Sequence, residues 1–212
     1  MNVELTWVTP NAEELIVKMA RVSAPKNQDN MDTAPRLLRY LIKHKHWSPF
    51  EMAGMCVEIE TTRAISPQIL RHRSFSFQEF SQRYADTSEL GSAVIPHLRR
   101  QDHKNRQNSI DDLSADAISG YYRRISKLYE DAEHLYREMV SSGVAKECAR
   151  SILPLSTQTR LFMNGTLRSW IHYLQLRCDP GTQFEHQQIA GGIKRIFCKE
   201  FPIIGEAAFA ED

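Results

Sequence analysis

The stretch Arg71–Tyr84 reads RHRSFSFQEFSQRY and combines charged, hydroxyl and aromatic side chains. It holds three arginines, a histidine, a glutamate and three serines, interleaved with three phenylalanines. A solvated helix face rarely carries so many aromatic rings, and a core rarely carries so many charges unless partners neutralise them. Arginine forks match phosphate oxygens, and serine hydroxyls and a carboxylate can hydrogen-bond the rest of a ligand. The stretch therefore predicts a half-buried pocket for a flat, anionic ligand.

The local pattern leaves the conformation of this stretch open. Ser66-Pro67 is typical of a helix start, with serine at the N-cap and proline at the first helical position. Residues 75–80 alternate too loosely to be assigned to helix or strand. The plainer alternative to a pocket is a solvated helix in which Glu79 pairs with Arg83. Composition alone does not separate these two interpretations.

Length and charge limit the class of protein. The chain has 212 residues, with 27 Lys and Arg against 26 Asp and Glu, so its net charge is close to zero. We expect a single domain over residues 1–212 and no nucleic-acid partner, because general nucleic-acid binders carry a basic excess. The four cysteines lack metal-ligand spacing. His44, His46 and Glu51 are too poorly spaced to predict a metal site.

The N-terminal residues indicate where the protein resides. The sequence MNVELTWVTP has no basic region followed by an apolar run, as a signal peptide would have. No apolar run in the chain approaches the length of a membrane span. We therefore expect a cytoplasmic protein with reduced thiols and no membrane partner.

Hydrophobic periodicity predicts a mixed fold. Alternating patterns predict strands at residues 2–8, 55–61 and 157–163, with a further strand within 86–95. Helical patterns predict helices at residues 12–22, 33–45, 144–153, 167–177 and 182–200. Residues 97–109 are polar and predict a surface loop. The expected fold is α+β, a helix-rich single domain with a small, mostly antiparallel sheet.

The longest predicted helix precedes Gly143, a natural C-terminal stop. Its apolar residues recur at steps of three and four, namely Ile118, Tyr121, Ile125, Leu128, Ala132, Leu135 and Met139. This stripe fits a core helix and fits equally a helix that pairs between subunits. Three heptads do not decide between the two.

The central stretch resembles a family signature. Arg71-His72-Arg73, then seven residues, then Ser81 is similar to the motif of the flavin-dependent thymidylate synthases. Gln78 stands where that family usually has Asn. This replacement keeps an amide but places it on a longer side chain. Further positions of the extended motif match at Ser76, Glu79 and Arg83. The resemblance extends over residues 22–196 and includes Glu147-Cys148-Ala149-Arg150, before Leu153-Pro154.

The resemblance implies an activity, its cofactors and an assembly. The implied reaction is reductive methylation of dUMP to dTMP, with 5,10-methylenetetrahydrofolate as the carbon donor and NADPH-reduced FAD as the hydride donor. The implied assembly is a homotetramer with active sites at subunit interfaces. This chemistry needs no cysteine nucleophile, and the central stretch contains none. The protein would act through positioning and charge.

The resemblance also assigns residues to two ligands. The residues implied to bind dUMP are Gln68, Arg71, Glu79, Phe80, Ser81, Gln82, Arg83, Arg150 and Arg177. The residues implied to bind FAD are Ser23, Ser48, Arg71, His72, Arg73, Glu79, Thr166, Arg168 and His172. Two positions depart from the family, because His172 replaces a frequent Asn and Gly181 replaces a His found in several members.

Arg177 is the implied catalytic residue. Its guanidinium stays protonated, so it would stabilise negative charge on the pyrimidine, as carbon five is activated, without acting as a base. The plainer alternative is a solvated arginine at a helix C-terminus, where the helix dipole favours it. Ser81 has no evident histidine base, so we interpret it as a hydrogen-bonding residue.

Two other functions remain open on the sequence. One is a catalytically inactive regulator that binds a uridine nucleotide. The other is a nucleic-acid-binding module that uses the Arg/Phe stretch for stacking and phosphate contact. The near-zero net charge argues against the second function, and a turnover assay would decide the first.

Overall fold

A computed structural model describes residues 1–209 and shows helices arranged with a four-stranded sheet. The strands are β1 (Asn2–Val8), β2 (Gly54–Thr62), β3 (Ser76–Glu79), β4 (Arg100–Gln101), β5 (Ser109–Ile110) and β6 (Gln158–Thr166). The α-helices are α1 (Ala12–Ala20), α2 (Ala34–Lys43), α3 (Ser66–Ile69), α4 (Ala115–Ser141), α5 (Lys146–Ala149), α6 (Leu167–Arg177), α7 (Phe184–Glu200) and α8 (Pro202–Phe209).

The sheet brings together strands that are distant in sequence. Its strand order is β1–β2–β6–β3, and β4 and β5 form a separate antiparallel hairpin in which Arg100 lies opposite Ile110. Met55, Val57 and Ile59 of β2 are fully buried, as the alternation of a half-buried strand predicts. The prediction of a helix-rich α+β fold with a small antiparallel sheet is confirmed.

The chain divides into two compact units, each built from discontinuous segments. The first unit consists of Met1, Glu60–Leu70 and Gln78–Leu161. The second unit consists of Asn2–Ile59, Arg71–Phe77 and the described part of Phe162–Asp212. The division passes through β2, β3 and β6, and it assigns the two halves of the central stretch to different units. A single domain over the whole chain stays a prediction.

Helix α6 is fixed at its first turn in the second unit. The Thr166 hydroxyl accepts a hydrogen bond from Ser169 N, so Thr166 is an N-cap residue and the helix begins at Leu167. Trp170 is fully buried, and its indole N–H donates to the carbonyl of Met55 at 2.9 Å. The helix ends at Arg177, which places that guanidinium in the last turn.

Three local predictions differ from the structure. The strand predicted within 86–95 is wrong, because Thr87–Leu90 form a 3-10 turn that begins with a capping box between Asp86 and Glu89. Residues 97–109, predicted as a loop, contain most of the β4–β5 hairpin. Helix α8 is absent from the sequence prediction. No helix within residues 1–209 is both long and apolar enough to cross a lipid bilayer.

Candidate functional site

Three side chains lie around the predicted catalytic arginine in the second unit, and together with it they form the Arg177 cluster: Arg177, His72, Tyr173 and His186. Arg177 Nε donates a hydrogen bond to His72 Nε2 at 2.9 Å. The His72 ring packs edge-on against Tyr173, with 4.8 Å between ring centroids. The Tyr173 hydroxyl lies 3.0 Å from His186 Nε2. The chain of contacts therefore runs from the guanidinium to a fully buried histidine.

Burial keeps the histidines of this cluster neutral. Desolvation, assisted by the positive charge of Arg177, lowers the pKa of His72 to about 4. Desolvation, followed by the influence of Arg177 and His72, lowers the pKa of His186 to about 4. Desolvation also raises the pKa of the Tyr173 hydroxyl. A neutral imidazole can accept a hydrogen bond at Nε2 whereas an imidazolium cannot, so His72 can orient Arg177 throughout the neutral pH range.

A second cluster in the same unit, the Glu51 cluster, consists of Glu51, Thr166 and Arg168. The Thr166 hydroxyl donates to Glu51 Oε2 at 2.9 Å, and Arg168 Nη1 donates to Glu51 Oε1 at 2.5 Å. The hydrogen bond from Arg168 is the main cause of a lowered Glu51 pKa. His172 packs edge-on against Trp47 at 4.8 Å, and burial lowers the pKa of its ring.

A cavity of about 340 Å³ is lined in part by the Glu51 cluster. Gly165 lines it as well, and a Cβ at that position would lie 2.4 Å from Cδ1 of Phe75. Close approach of these residues therefore requires glycine. The cavity's polar side chains come from the 3-10 turn Ser48–Glu51, from the turn after the RHR sequence and from strands β3 and β6: Glu51, Ser74, Ser76, Asn164 and Thr166.

Glu79 lies in the first unit, at the centre of the Glu79 cluster, which also contains Arg63, Ser66 and Thr159. Arg63 Nη1 lies 2.6 Å from Glu79 Oε1, the Ser66 hydroxyl donates to that oxygen at 2.6 Å, and the Thr159 hydroxyl donates at 2.9 Å. Ser66 thus bonds a carboxylate, while Ile65 takes the N-cap position predicted for Ser66. The helical Glu79–Arg83 pair is wrong, since Glu79 ends β3.

Two other predicted nucleotide-binding residues in the first unit have polar groups suited to a ligand. Arg83 Nη2 lies 2.8 Å from the Glu147 carboxylate, and both side chains are largely exposed. Gln82 is 7% exposed, and its amide Nε2 has no hydrogen-bond partner among residues 1–209. A buried amide donor without a partner is costly unless a ligand or water satisfies it. The Gln82 amide therefore calls for a polar partner, from a ligand or from water.

The remaining predicted residues make fewer contacts. Phe80 N donates to the Arg160 carbonyl at 2.8 Å. Within residues 1–209, no hydrogen bond or ion pair joins Ser23 or Ser48 to the clusters described above. The exposed members of this set are Ser23, Ser48, Arg71, Arg73 and Ser81, and the half-buried members are Gln68, Phe80 and Arg150. Across residues 1–209, no group of three or more His, Cys, Asp or Glu side chains could hold a metal ion.

Sequence reasoning misses Arg63, Tyr173 and His186. Arg63 follows Thr61 on the buried side of an alternating strand, and a charge on that side needs a partner. His186 precedes Ile189 by three residues and so shares the buried face of α7. Both signals are present in the pattern, but neither indicates which partner the side chain finds.

Comparison with known proteins gives matches over nearly the whole chain. The family model described as thymidylate synthase complementing protein matches residues 4–203. A probable flavin-dependent thymidylate synthase of Paramecium bursaria Chlorella virus 1 is 54% identical over 197 residues, which cover 92% of this chain and 90% of the viral protein. A flavin-dependent thymidylate synthase of Synechocystis sp. is 52% identical over 195 residues, covering 92% of this chain and 88% of that protein.

A solved structure agrees with these sequence matches. The crystal structure of a UMP/dUMP methylase from Streptomyces cacaoi, bound with 5-Br dUMP, superposes with a TM-score of 0.86. The two chains are 28% identical, and the match covers 97% of this chain and 93% of the methylase.

Proposed function

The chain belongs to the family of flavin-dependent thymidylate synthases, and from this premise we propose that it converts dUMP to dTMP by reductive methylation. In this proposal FAD is the flavin, 5,10-methylenetetrahydrofolate is the carbon donor and NADPH supplies the reducing equivalents. One observation carries the proposal of a working enzyme: Arg177 is oriented by a hydrogen bond from its Nε to a neutral His72. A fixed cation is what stabilisation of charge on an activated pyrimidine requires.

The first-unit residues support a nucleotide ligand. The unpartnered Gln82 amide can donate to a carbonyl or hydroxyl of dUMP. The exposed ion pair of Arg83 with Glu147 is weak, so Arg83 can bind the phosphate of dUMP instead. Glu79 offers a carboxylate held by two hydroxyl donors and an ion pair with Arg63. The full proposed set for dUMP is Gln68, Arg71, Glu79, Phe80, Ser81, Gln82, Arg83, Arg150 and Arg177.

The residues around the Glu51 cluster fit a flavin. The cavity beside Thr166 offers hydroxyl and amide groups for ring or ribityl contacts, and the exposed guanidinium of Arg168 suits a phosphate. When bound, FAD would supply the hydride that completes the methyl group. The side chains proposed to hold it are Ser23, Ser48, Arg71, His72, Arg73, Glu79, Thr166, Arg168 and His172.

We propose a homotetramer as the working assembly, and helix α4 supports this. Only Tyr136 is buried among the 27 residues of α4. Tyr121, Leu128 and Leu135 recur every seven residues and are 52%, 64% and 46% exposed. A core helix would bury this stripe within one chain, so the exposed stripe favours pairing between subunits. A cytoplasmic location and the absence of a nucleic-acid partner stay predictions.

The variant Leu128→Glu tests the assembly. We expect it to lower the oligomeric state measured by sedimentation velocity, because it places a charge at the centre of the exposed stripe. Leucine and glutamate have similar helix propensities, so α4 itself should persist in circular dichroism spectra. Leu155→Glu is the matched control, since Leu155 is 73% exposed and lies outside α4. A fully active monomer of the unmodified protein, or an unchanged tetramer in Leu128→Glu, would contradict the proposal.

The first experiment on the activity is spectroscopic. Purified protein is loaded with FAD, desalted and treated anaerobically with NADPH, with and without dUMP. We expect a retained oxidised-flavin band that NADPH bleaches, and a bleaching rate that dUMP changes because both ligands bind the same enzyme. If folded protein keeps no flavin and shows no bleaching, the inactive nucleotide-binding regulator becomes the better interpretation.

A further inference from the structure

Arg63 lies outside the RHR stretch, and its backbone is held by a hydrogen bond at the end of the sheet. It follows β2 directly, and its backbone N–H donates to the carbonyl of Thr157 at 2.9 Å. Its side chain is 32% exposed and makes an ion pair of 2.6 Å with Glu79, whose side chain is 16% exposed. A pair this short and this shielded is stronger than the usual surface ion pair.

All three partners in the Glu79 cluster reach the same carboxylate oxygen. Ser66 and Thr159 are 0% and 1% exposed, and both hydroxyls donate to Oε1, which also forms the ion pair with the guanidinium of Arg63. Two hydrogen bonds and an ion pair at one oxygen restrict the rotation of the carboxylate about its terminal torsion, which is otherwise loosely defined. The second oxygen, Oε2, takes no part in these contacts. Because they restrict the rotation of the carboxylate, Oε2 points in a defined direction.

We propose that Arg63 is a positioning residue of the nucleotide site and that it acts through Glu79. In this arrangement Oε2 accepts a hydrogen bond from a ring N–H or a sugar hydroxyl of the nucleotide. The inference rests on the proposed function, since it takes Glu79 as a nucleotide contact. Ser66 and Thr159 are neutral donors, so Arg63 is the only cationic partner within the Glu79 cluster.

A double-mutant cycle tests whether Arg63 acts through Glu79. The variants are Arg63→Ala, Glu79→Gln and the two combined, and the readouts are dUMP binding by calorimetry, KM for dUMP and kcat on FAD-loaded protein. We expect Arg63→Ala to weaken dUMP binding about 10- to 100-fold, because the nucleotide would lose a well-oriented hydrogen bond to the charged Glu79 carboxylate. In the Glu79→Gln background the same change should cause little further loss. Additive losses, or unchanged binding in Arg63→Ala, would overturn the proposal.

Further variants separate positioning from folding. Arg63→Lys keeps the charge with a single donor group and should recover part of the lost affinity. Arg63→Ala could fail to fold because it leaves the Glu79 carboxylate unpaired. In that case the dUMP affinities of Arg63→Lys and of the combined variant, which has no unpaired carboxylate, decide the outcome. Arg100→Ala is the control, because it disrupts an exposed 2.6 Å pair with Asp112 in the same unit and should leave dUMP binding unchanged.

The unmodified protein distinguishes this inference from the proposed function. If it forms no dTMP and binds no dUMP, the proposed function fails. If it is active and Arg63→Ala has the same KM and affinity for dUMP, only the role of Arg63 fails.

Discussion

Arg177→Ala is expected to abolish dTMP formation while FAD remains bound. Removing one preorganised donor to a developing negative charge typically lowers kcat by about 100- to 1000-fold. The guanidinium donates through Nε to His72, and that neutral ring is supported by Tyr173 and a fully buried His186. Alanine removes the charge and leaves the supporting side chains in place. Stopped turnover with an intact flavin absorbance band is the outcome that fits a catalytic role.

Two further variants sharpen this test. Arg177→Lys keeps a positive charge but lacks the planar fork that bonds His72, so we expect it to lose most of the activity. Arg195→Ala removes an exposed arginine from α7 in the same unit and should leave turnover unchanged. If Arg177→Ala loses FAD yet keeps its turnover per bound flavin, the residue holds the flavin and is not catalytic.

Gly165→Ala is expected to destabilise the second unit. A Cβ at this position would lie 2.4 and 2.6 Å from two ring atoms of Phe75. That ring is 9% exposed and packs on Trp170 with 4.7 Å between centroids, so it has little room to move. Overpacking of this kind lowers the free energy of unfolding by about 1–3 kcal/mol. In a protein of this size the Tm should fall by about 2–4 °C for each kcal/mol.

The same substitution should also affect the flavin. Phe75 follows the RHR residues, and Gly165 lines the cavity beside Thr166, so a displaced ring should weaken FAD retention. Gly191→Ala is the control, because a Cβ at Gly191 meets nothing within 4 Å. Alanine is favoured over glycine inside a helix by about 1 kcal/mol, so this variant should be neutral or more stable. An unchanged Tm in Gly165→Ala would show that the Phe75 ring repacks freely.

Features with a local cause could be predicted from the sequence. The alternation of Val57, Ile59 and Thr61 predicts β2, and the apolar spacing from Leu167 to Leu174 predicts α6. The family, first indicated by the RHR residues and Ser81, is confirmed by the matches over nearly the whole chain. The assignment of single residues to dUMP or FAD stays a proposal.

Features set by distant partners could not be predicted. Ser66 has the pattern of an N-cap, yet Ile65 takes that position and the Ser66 hydroxyl donates to the half-buried carboxylate of Glu79, 13 residues later in the chain. The place of Arg63 directly after β2, in line with the buried side of that strand, indicates that it needs a partner, but the pattern does not identify Glu79 as that partner. The neutral state of His72 depends on burial beside Arg177, more than 100 residues later in the chain.

The pairing of β2 with β6 has a consequence for how the protein is made. Arg63 bonds Thr157 at one end of this pair, and Leu167 bonds Ala53 at the other, so about a hundred residues separate the partners. At about 5–20 residues per second, a ribosome that has finished β2 needs roughly 5–20 s to produce β6. During that time one edge of β2 is unpaired, and its side chains, which are mostly buried in the folded protein, are exposed. Both features promote aggregation. Despite its many helices, the nascent chain should therefore depend on chaperones that shield this strand until its partner emerges.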